Sequence, residues 1–193
     1  MLQCSTMSPL DPSSPGMPDP NADPSGASLA GLAFSVRSFR ECDLPSCRLL
    51  YVDGLLGGKL AENDTGFDID DILSAYMKKP GSHFWVAETP TGDVVGMIGV
   101  QHHGDGVGEI RRLRVAQPHR RRGVGKALVE SAVRYCNENG YLKVTLDTFV
   151  DREPAIKLFE KFRFHHSRTK KVGEKELLYF YLDLYQGEQR KTH

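Results

Sequence analysis

Apolar residues recur along this chain with two different periods, and the switches between them mark out its elements. Phe34-Ser-Val-Arg-Ser-Phe-Arg40 alternates and predicts a first strand. Asp43 stands where it can cap a helix reaching about Gly57, with Pro45 in its first turn. Ile69, Ile72, Leu73, Tyr76 and Met77 fall at helical spacing. They predict a second helix, capped by Asp68 and stopped before Pro80-Gly81. His83–Glu88 and Val94–Val100 flank the turn composition Thr89-Pro-Thr-Gly-Asp93 and predict an antiparallel pair. Gly106-Val-Gly108 leads into a strand over Glu109–Ala116.

A helix follows, with Val124, Ala127, Leu128, Ser131, Ala132 and Tyr135 on one stripe and an end at Gly140. A strand over Leu142–Thr148 comes next. The last helix has Pro154 in its first turn and Ala155, Leu158, Phe159 and Phe162 inward. Strands near Phe164–Thr169 and Leu177–Leu184 close the pattern. The order is β-α-α-β-β-β-α-β-α-β-β. Antiparallel strands lead into one β-α-β crossover, so the class is α/β (α+β). The central sheet should be mixed and mostly antiparallel, with helices on both faces.

Composition then divides the chain. Residues 1–33 carry Pro, Ser, Asp and Gly with few apolar groups. Such a segment buries too little to offset ordering, so a disordered tail is expected there. One domain is expected over residues 34–186, and a polar tail over 187–193. Formal net charge is zero, and all basic residues lie beyond residue 33. The excess left on the domain is too mild to indicate a nucleic-acid partner. No run of 18 apolar residues is present, so no membrane span is expected. Cys4, Cys42, Cys47 and Cys136 show no metal-ligand or redox spacing. Free thiols, a cytoplasmic setting and no metal are the expectation. His102 and His103 are adjacent on a strand and point to opposite faces, which does not make a ligand pair. Trp85 is expected in the core.

The chemistry concentrates between Arg111 and Arg122. Six arginines fall in that stretch and run into Gly123-Val-Gly125-Lys126 at a helix start. Free N–H groups at a helix N-terminus, glycines that admit close approach and a ring of cations suit a phosphate-rich ligand. Two common phosphate motifs do not fit. A Walker A loop needs glycine where Arg120 stands and Ser or Thr where Ala127 stands. A dinucleotide fingerprint needs glycine at Leu128.

Arg120-x-x-Gly123-x-Gly125 after a strand ending Leu113-Arg-Val115 resembles the acetyl-CoA loop of the GNAT (Gcn-five-related) N-acetyltransferase superfamily. The order of elements matches that fold from about Phe34 to Leu184. Within the superfamily the chain looks most like the camello-like branch, through His83-Phe-Trp-Val-Ala-Glu88, Glu109-Ile-Arg-Arg-Leu-Arg-Val115 and Leu146-Asp-Thr148 before Ala155-x-x-Leu158-Phe159. Members of that branch carry a membrane segment where this chain has the polar stretch Gly54–Lys79, so membrane attachment does not carry over.

The resemblance implies acetyl-CoA as cosubstrate and an amine as acceptor. Leu113, Arg114 and Val115 would hold the pantetheine arm. The amides of Arg121, Arg122, Gly123, Val124, Gly125 and Lys126 would cradle the pyrophosphate, with Arg120 and its neighbours adding charge. It implies a general base at Glu109. An alkyl amine of pKa about 10.4 is neutral only about one part in 2,500 at pH 7, a cost of roughly 4.6 kcal/mol. By simple alternation Glu109, Arg111, Leu113 and Val115 should share one face, with Arg111 able to pair with Glu109. The family's usual acid, a tyrosine, is replaced here by Phe159, which has no proton to give. Tyr179, Tyr181 or His165 are the candidate substitutes. A small amino-acid-like amine is the expected acceptor; a protein lysine or N-terminus, and a non-catalytic acyl-CoA sensor, are the alternatives. A monomer or homodimer is expected.

Overall fold

The computed structural model describes residues 34–54 and 66–185, all within one compact unit, Leu32–His193. The expected tails, and the end of the first helix near Gly57, lie outside the described residues. The strands are β1 (Ser35–Ser38), β2 (His83–Glu88), β3 (Val94–His102), β4 (Val107–Val115), β5 (Lys143–Phe149), β6 (His165–Val172) and β7 (Lys175–Asp183). The helices are α1 (Leu44–Asp53), α2 (Phe67–Asp70), α3 (Val124–Glu138) and α4 (Glu153–Lys161). A π-helical turn covers Leu73–Met77. The strands form one sheet in the order β1-β2-β3-β4-β5-β7-β6. Only β4 and β5 run parallel, joined through α3; every other pair is antiparallel. Among the described residues, no helix is long and apolar enough to cross a membrane.

Each face of the sheet has its own core. On one face Leu128, Val129, Ala132 and Cys136 of α3 and Phe159 of α4 pack on Ile98, Val100, Ile110, Val144, Leu146 and Phe180. Val124, Leu128, Ser131 and Ala132 of the predicted stripe are buried, Ala127 and Tyr135 are partly buried, and Val129 and Cys136, outside that stripe, join the core. On the other face Cys47, Leu50 and Tyr51 of α1, Ile69, Ile72 and Tyr76 pack on Phe84, Val86 and Met97. Gly99 makes that second packing possible. A Cβ there would lie 2.5 Å from the Tyr76 ring and 2.8 Å from the Phe84 ring.

Two expected caps are put to other use. Asp43 makes no side-chain bond to the start of α1. Its carboxylate accepts instead from Arg37 at 2.7 and 2.9 Å and from the Arg40 amide at 2.7 Å. Asp68 falls inside α2, whose preceding residue is Gly66 at φ +69°, and its carboxylate turns to the sheet. The second helix is therefore broken in two, a short α2 and the π-helical turn, where the sequence pattern predicts one run.

The alternation expected in β4 is also broken. Arg112 takes φ +60°, a left-handed conformation that costs an L-residue about 1–2 kcal/mol. Met97 pairs with Arg114 and Gly99 with Arg111, so two residues of β4 oppose the single Ile98 of β3. This is a β-bulge, and it inverts the facing of everything after it. Ile110 belongs to the α3 core, Arg111 and Arg112 both turn to the α1–α2 side, and Leu113 and Val115 return to the α3 core. Glu109 and Leu113 therefore stand on opposite faces.

Gly99→Ala should lower stability by about 1–3 kcal/mol through overpacking against Tyr76 and Phe84. Urea denaturation monitored by far-UV circular dichroism measures this.

Candidate active site

A fork comes just before the bulge. β4 and β5 pair only at Val107–Lys143, Gly108–Val144 and Glu109–Thr145. Beyond Glu109, β5 pairs only with β7 and no ladder joins it to β4. The β5-side edge of β4 from Ile110 to Val115 is thus open. Two arginines cover its carbonyls: Arg114 Nη1 donates to Leu113 O at 2.9 Å, and Arg120 Nε to Val115 O at 3.0 Å. The Arg114 carbonyl faces the other way, toward Gly96 of β3.

The start of α3 stands beside this edge. Gly123 is its N-cap at φ +88°, a conformation that glycine adopts without strain. A Cβ at Gly123 would meet nothing within 4 Å, so the approach to the helix start is open. Gly125 is flanked by Val115 of β4 and Leu158 of α4, which fixes the helix start against both. The Gly123 carbonyl accepts from Ala127, the first turn of the helix. The preceding amides point outward, as at any helix start. Arg120, Arg121, Arg122 and Lys126 surround them on the surface, with Lys126 3.4 Å from Glu130. Backbone and charge thus fit a pyrophosphate, and the open β4 edge fits an extended amide-bearing arm.

A cleft beside the fork is lined by Leu50, Asp53 and Gly54 from the end of α1, by Arg114–Ala116 of β4 and its exit, and by Gln117 and Arg120. Gly54 lies flat on the Arg114 side chain, and its carbonyl accepts from Arg152, which arrives from the β5–α4 loop.

On the α1–α2 face, at the point where the strands part, sits Glu109. It is about one-fifth exposed. His103 Nε2 lies 2.7 Å from Glu109 Oε2, and Arg111 Nη1 lies 3.5 Å from the same oxygen. Arg111 is the partner the sequence anticipates; His103 is not. A row of paired residues crosses the sheet here: Gln101, Glu109, Thr145, Tyr181 and His165. Tyr181 is thus two strands from Glu109, roughly 10 Å at the usual strand spacing. Tyr179 stands two pairs further along, between Asp147 and Arg168, with the Arg168 guanidinium 4.3 Å from the centre of its ring. Phe159 is buried against Phe164 on the opposite face.

Behind this row lies a largely buried ion pair, its arginine buried and its carboxylate 15% exposed. Arg112 donates to Asp68 through Nε at 2.8 Å and Nη2 at 2.5 Å. The Tyr76 hydroxyl donates to the same carboxylate at 2.6 Å, and the guanidinium sits 5.1 Å from the centre of the Tyr51 ring. Burial opposes charge on Asp68, yet the bonds from Arg112 and Tyr76 outweigh it and hold its carboxyl below the usual range. The same burial, with the Asp68 charge, pushes the Tyr76 phenol well up. Sequence reading misses this pair. The available signal is the interval of three between Ile110 and Leu113, which share a core although strict alternation forbids it.

The family profile described as "Acetyltransferase (GNAT) family" matches residues 53–164. Human N-acetyltransferase 8 is 36% identical over 112 residues, covering 55% of this chain and 47% of that protein. N-acetylaspartate synthetase of Xenopus tropicalis is 38% identical over 100 residues, covering 51% of this chain and 36% of that protein. The match thus spans less than half the length of either relative. A GNAT-family acetyltransferase from Staphylococcus aureus shares the fold at a TM-score of 0.69 and 17% identity, over 79% of this chain and 99% of that one. A phosphinothricin acetyltransferase from Sinorhizobium meliloti, solved with acetyl-CoA, does so at 0.69 and 18%, over 82% and 92%.

Removing one member of a buried pair leaves its partner uncompensated, so Asp68→Asn should cost about 3 kcal/mol or more at neutral pH. The Asp68 carboxyl is depressed in the folded state. Its contribution is therefore full above the unfolded value of about 3.9 and is lost as pH falls through the lower folded value. The stability gap between wild type and Asp68→Asn should narrow in acid, as denaturation curves at pH 7 and in the acid range would reveal.

Proposed function

The chain belongs to the GNAT acetyltransferase family, and on that premise we propose that it moves an acetyl group from acetyl-CoA to the primary amine of a small, amino-acid-like substrate. The fork of β4 and β5 carries this reading. It opens one strand edge beside a glycine-capped helix start and leaves a carboxylate at the point of parting. Acetyl-CoA supplies an activated acyl thioester; the chain binds it, orients it and manages protons.

Leu113 and Val115 offer strand-type backbone bonds to the pantetheine amides once Arg114 and Arg120 turn away from their carbonyls, whereas the Arg114 backbone, expected to join them, is turned to β3. The amides from Arg121 to Lys126 take the pyrophosphate at the positive end of α3. Arg120, Arg121 and Arg122 add charge-assisted bonds to phosphate oxygens. Glu109 accepts a proton from the acceptor amine, directly or through water. His103, half-exposed and hydrogen-bonded to Glu109, passes that proton on to solvent. Arg111 beside Glu109 suits an acceptor that carries a carboxylate. The name N-acetylaspartate synthetase, borne by relatives, supports an amino-acid acceptor.

The departing thiolate has no tyrosine on α4 to protonate it, since Phe159 fills that place and is buried. A thiol of pKa about 8.5 leaves without a strong acid. Tyr179 and Tyr181 share the Glu109 face and line the acceptor side of the sheet. Phe159 is also the one observation that favours a second reading, an acyl-CoA-binding sensor without turnover.

Glu109→Gln should lower kcat by about 10²–10⁴-fold, the usual worth of a positioned base, and leave acetyl-CoA affinity within about twofold. Thiol release with acetyl-CoA over a panel of amino acids, amines and peptides tests this. Tight acetyl-CoA binding with no turnover on any acceptor would replace the enzyme reading with the sensor.

A further inference from the structure

Arg112 is a side chain in the wrong backbone conformation for its type. At φ +60° a glycine would sit without strain, so nothing local favours arginine there. What holds it is its side chain, which is buried and bound at two points to Asp68. Tyr76 completes the bonding of that carboxylate, and Tyr51 lies beneath the guanidinium. Asp68 and Tyr51 therefore hold this residue of β4 directly, and Tyr76 holds it through Asp68.

We propose that Asp68 and Arg112 are a positioning pair for acetyl-CoA: their ion pair holds the bulge in β4 and so aims the carbonyls of Leu113 and Val115 at the cofactor. The inference rests on the acetyl-CoA reading of that strand edge. Successive carbonyls of a strand point to opposite edges. With the bulge in place, Leu113 and Val115 present theirs to the open side, where Arg114 and Arg120 now bind them, and Arg114 presents its own to β3. A slip of one residue would exchange the sets. The Arg114 carbonyl would face the opening, and Leu113 and Val115 would leave the α3 core. The Asp68 and Arg112 side chains meet on the α1–α2 side and not at the open edge, so both act through the strand and not on the ligand.

Calorimetric titration of the full chain with acetyl-CoA tests the pair, with each protein kept well below its own melting temperature. The set is wild type, Asp68→Asn, Arg112→Lys and the double substitution Asp68→Asn with Arg112→Gly. Asp68→Asn and Arg112→Lys should each raise the Kd about tenfold or more, which is about 1.4 kcal/mol. The double substitution should bring it back to within about threefold of wild type, because glycine keeps the bulge without the ion pair. A merely structural role gives no such recovery. Arg112→Lys keeps a charge opposite Asp68 and supplies the folded variant should Asp68→Asn not fold. Folded single variants that bind as wild type does would overturn the proposal, as would a double substitution that recovers nothing. Wild-type protein that binds no acetyl-CoA would sink the cofactor reading itself, and the role of the pair with it.

Discussion

A strand can change which way it faces only by spending a residue, and β4 does so at Arg112. Before that residue the strand has one job, to place Glu109 and Arg111 on the α1–α2 face beside His103. After it the strand has another, to bury Leu113 and Val115 under α3 while one edge stays open. Regular alternation cannot serve both. A strained φ tied down by a buried ion pair is the local solution, and such strain persists only where the surroundings over-determine it. The parting from β5 comes just before that turn, and the covering of two carbonyls by arginines and the seat of the α3 start lie beyond it.

Much of this was legible in the residues. Helix α3, the pair β2–β3 and the two closing strands follow from periodicity, with turn composition for β2–β3, and they stand close to where expected. The glycine loop was legible because Gly123 needs a left-handed φ and marks a helix start. The losses share one cause. Asp43 and Asp68 both look like caps from local sequence, and each is drawn off by an arginine distant in fold or sequence, Arg37 and Arg112. A carboxylate within reach of a guanidinium gains more from a charge-assisted bidentate bond than from a single backbone N–H. Alternation failed in β4 for the same reason, since the bulge answers to Asp68, 44 residues away in sequence.

The six arginines, which look like one cluster in sequence, separate into different tasks in space. Arg112 is buried in the ion pair, Arg111 stands beside Glu109, and Arg114 and Arg120 lie on strand carbonyls. Arg121 and Arg122 are exposed at the helix start. Arg121 also takes φ +60°, so the loop bends there before Gly123. Of the six, only Arg120, Arg121 and Arg122 stand at the loop before α3, where the pyrophosphate is proposed to sit.

The acid side of the proposed reaction turns on which face each group occupies. Phe159 lies in the α3–α4 core, on the far side of the sheet from Glu109, and is packed against Phe164. A tyrosine hydroxyl there would have to emerge through the fork to reach a sulfur held along β4. Tyr179 and Tyr181 reach the Glu109 face directly, but from β7, with β5 intervening. Their rings are held by cations, Arg168 over Tyr179 and Lys143 5.5 Å from the centre of Tyr181. A cation over a ring holds the ring in place but gives the hydroxyl no path to the open edge of β4. These tyrosines therefore stand on the Glu109 face with β5 between them and β4. The thiolate is left to its own low basicity, and proton removal at Glu109 becomes the step on which the side chains act most.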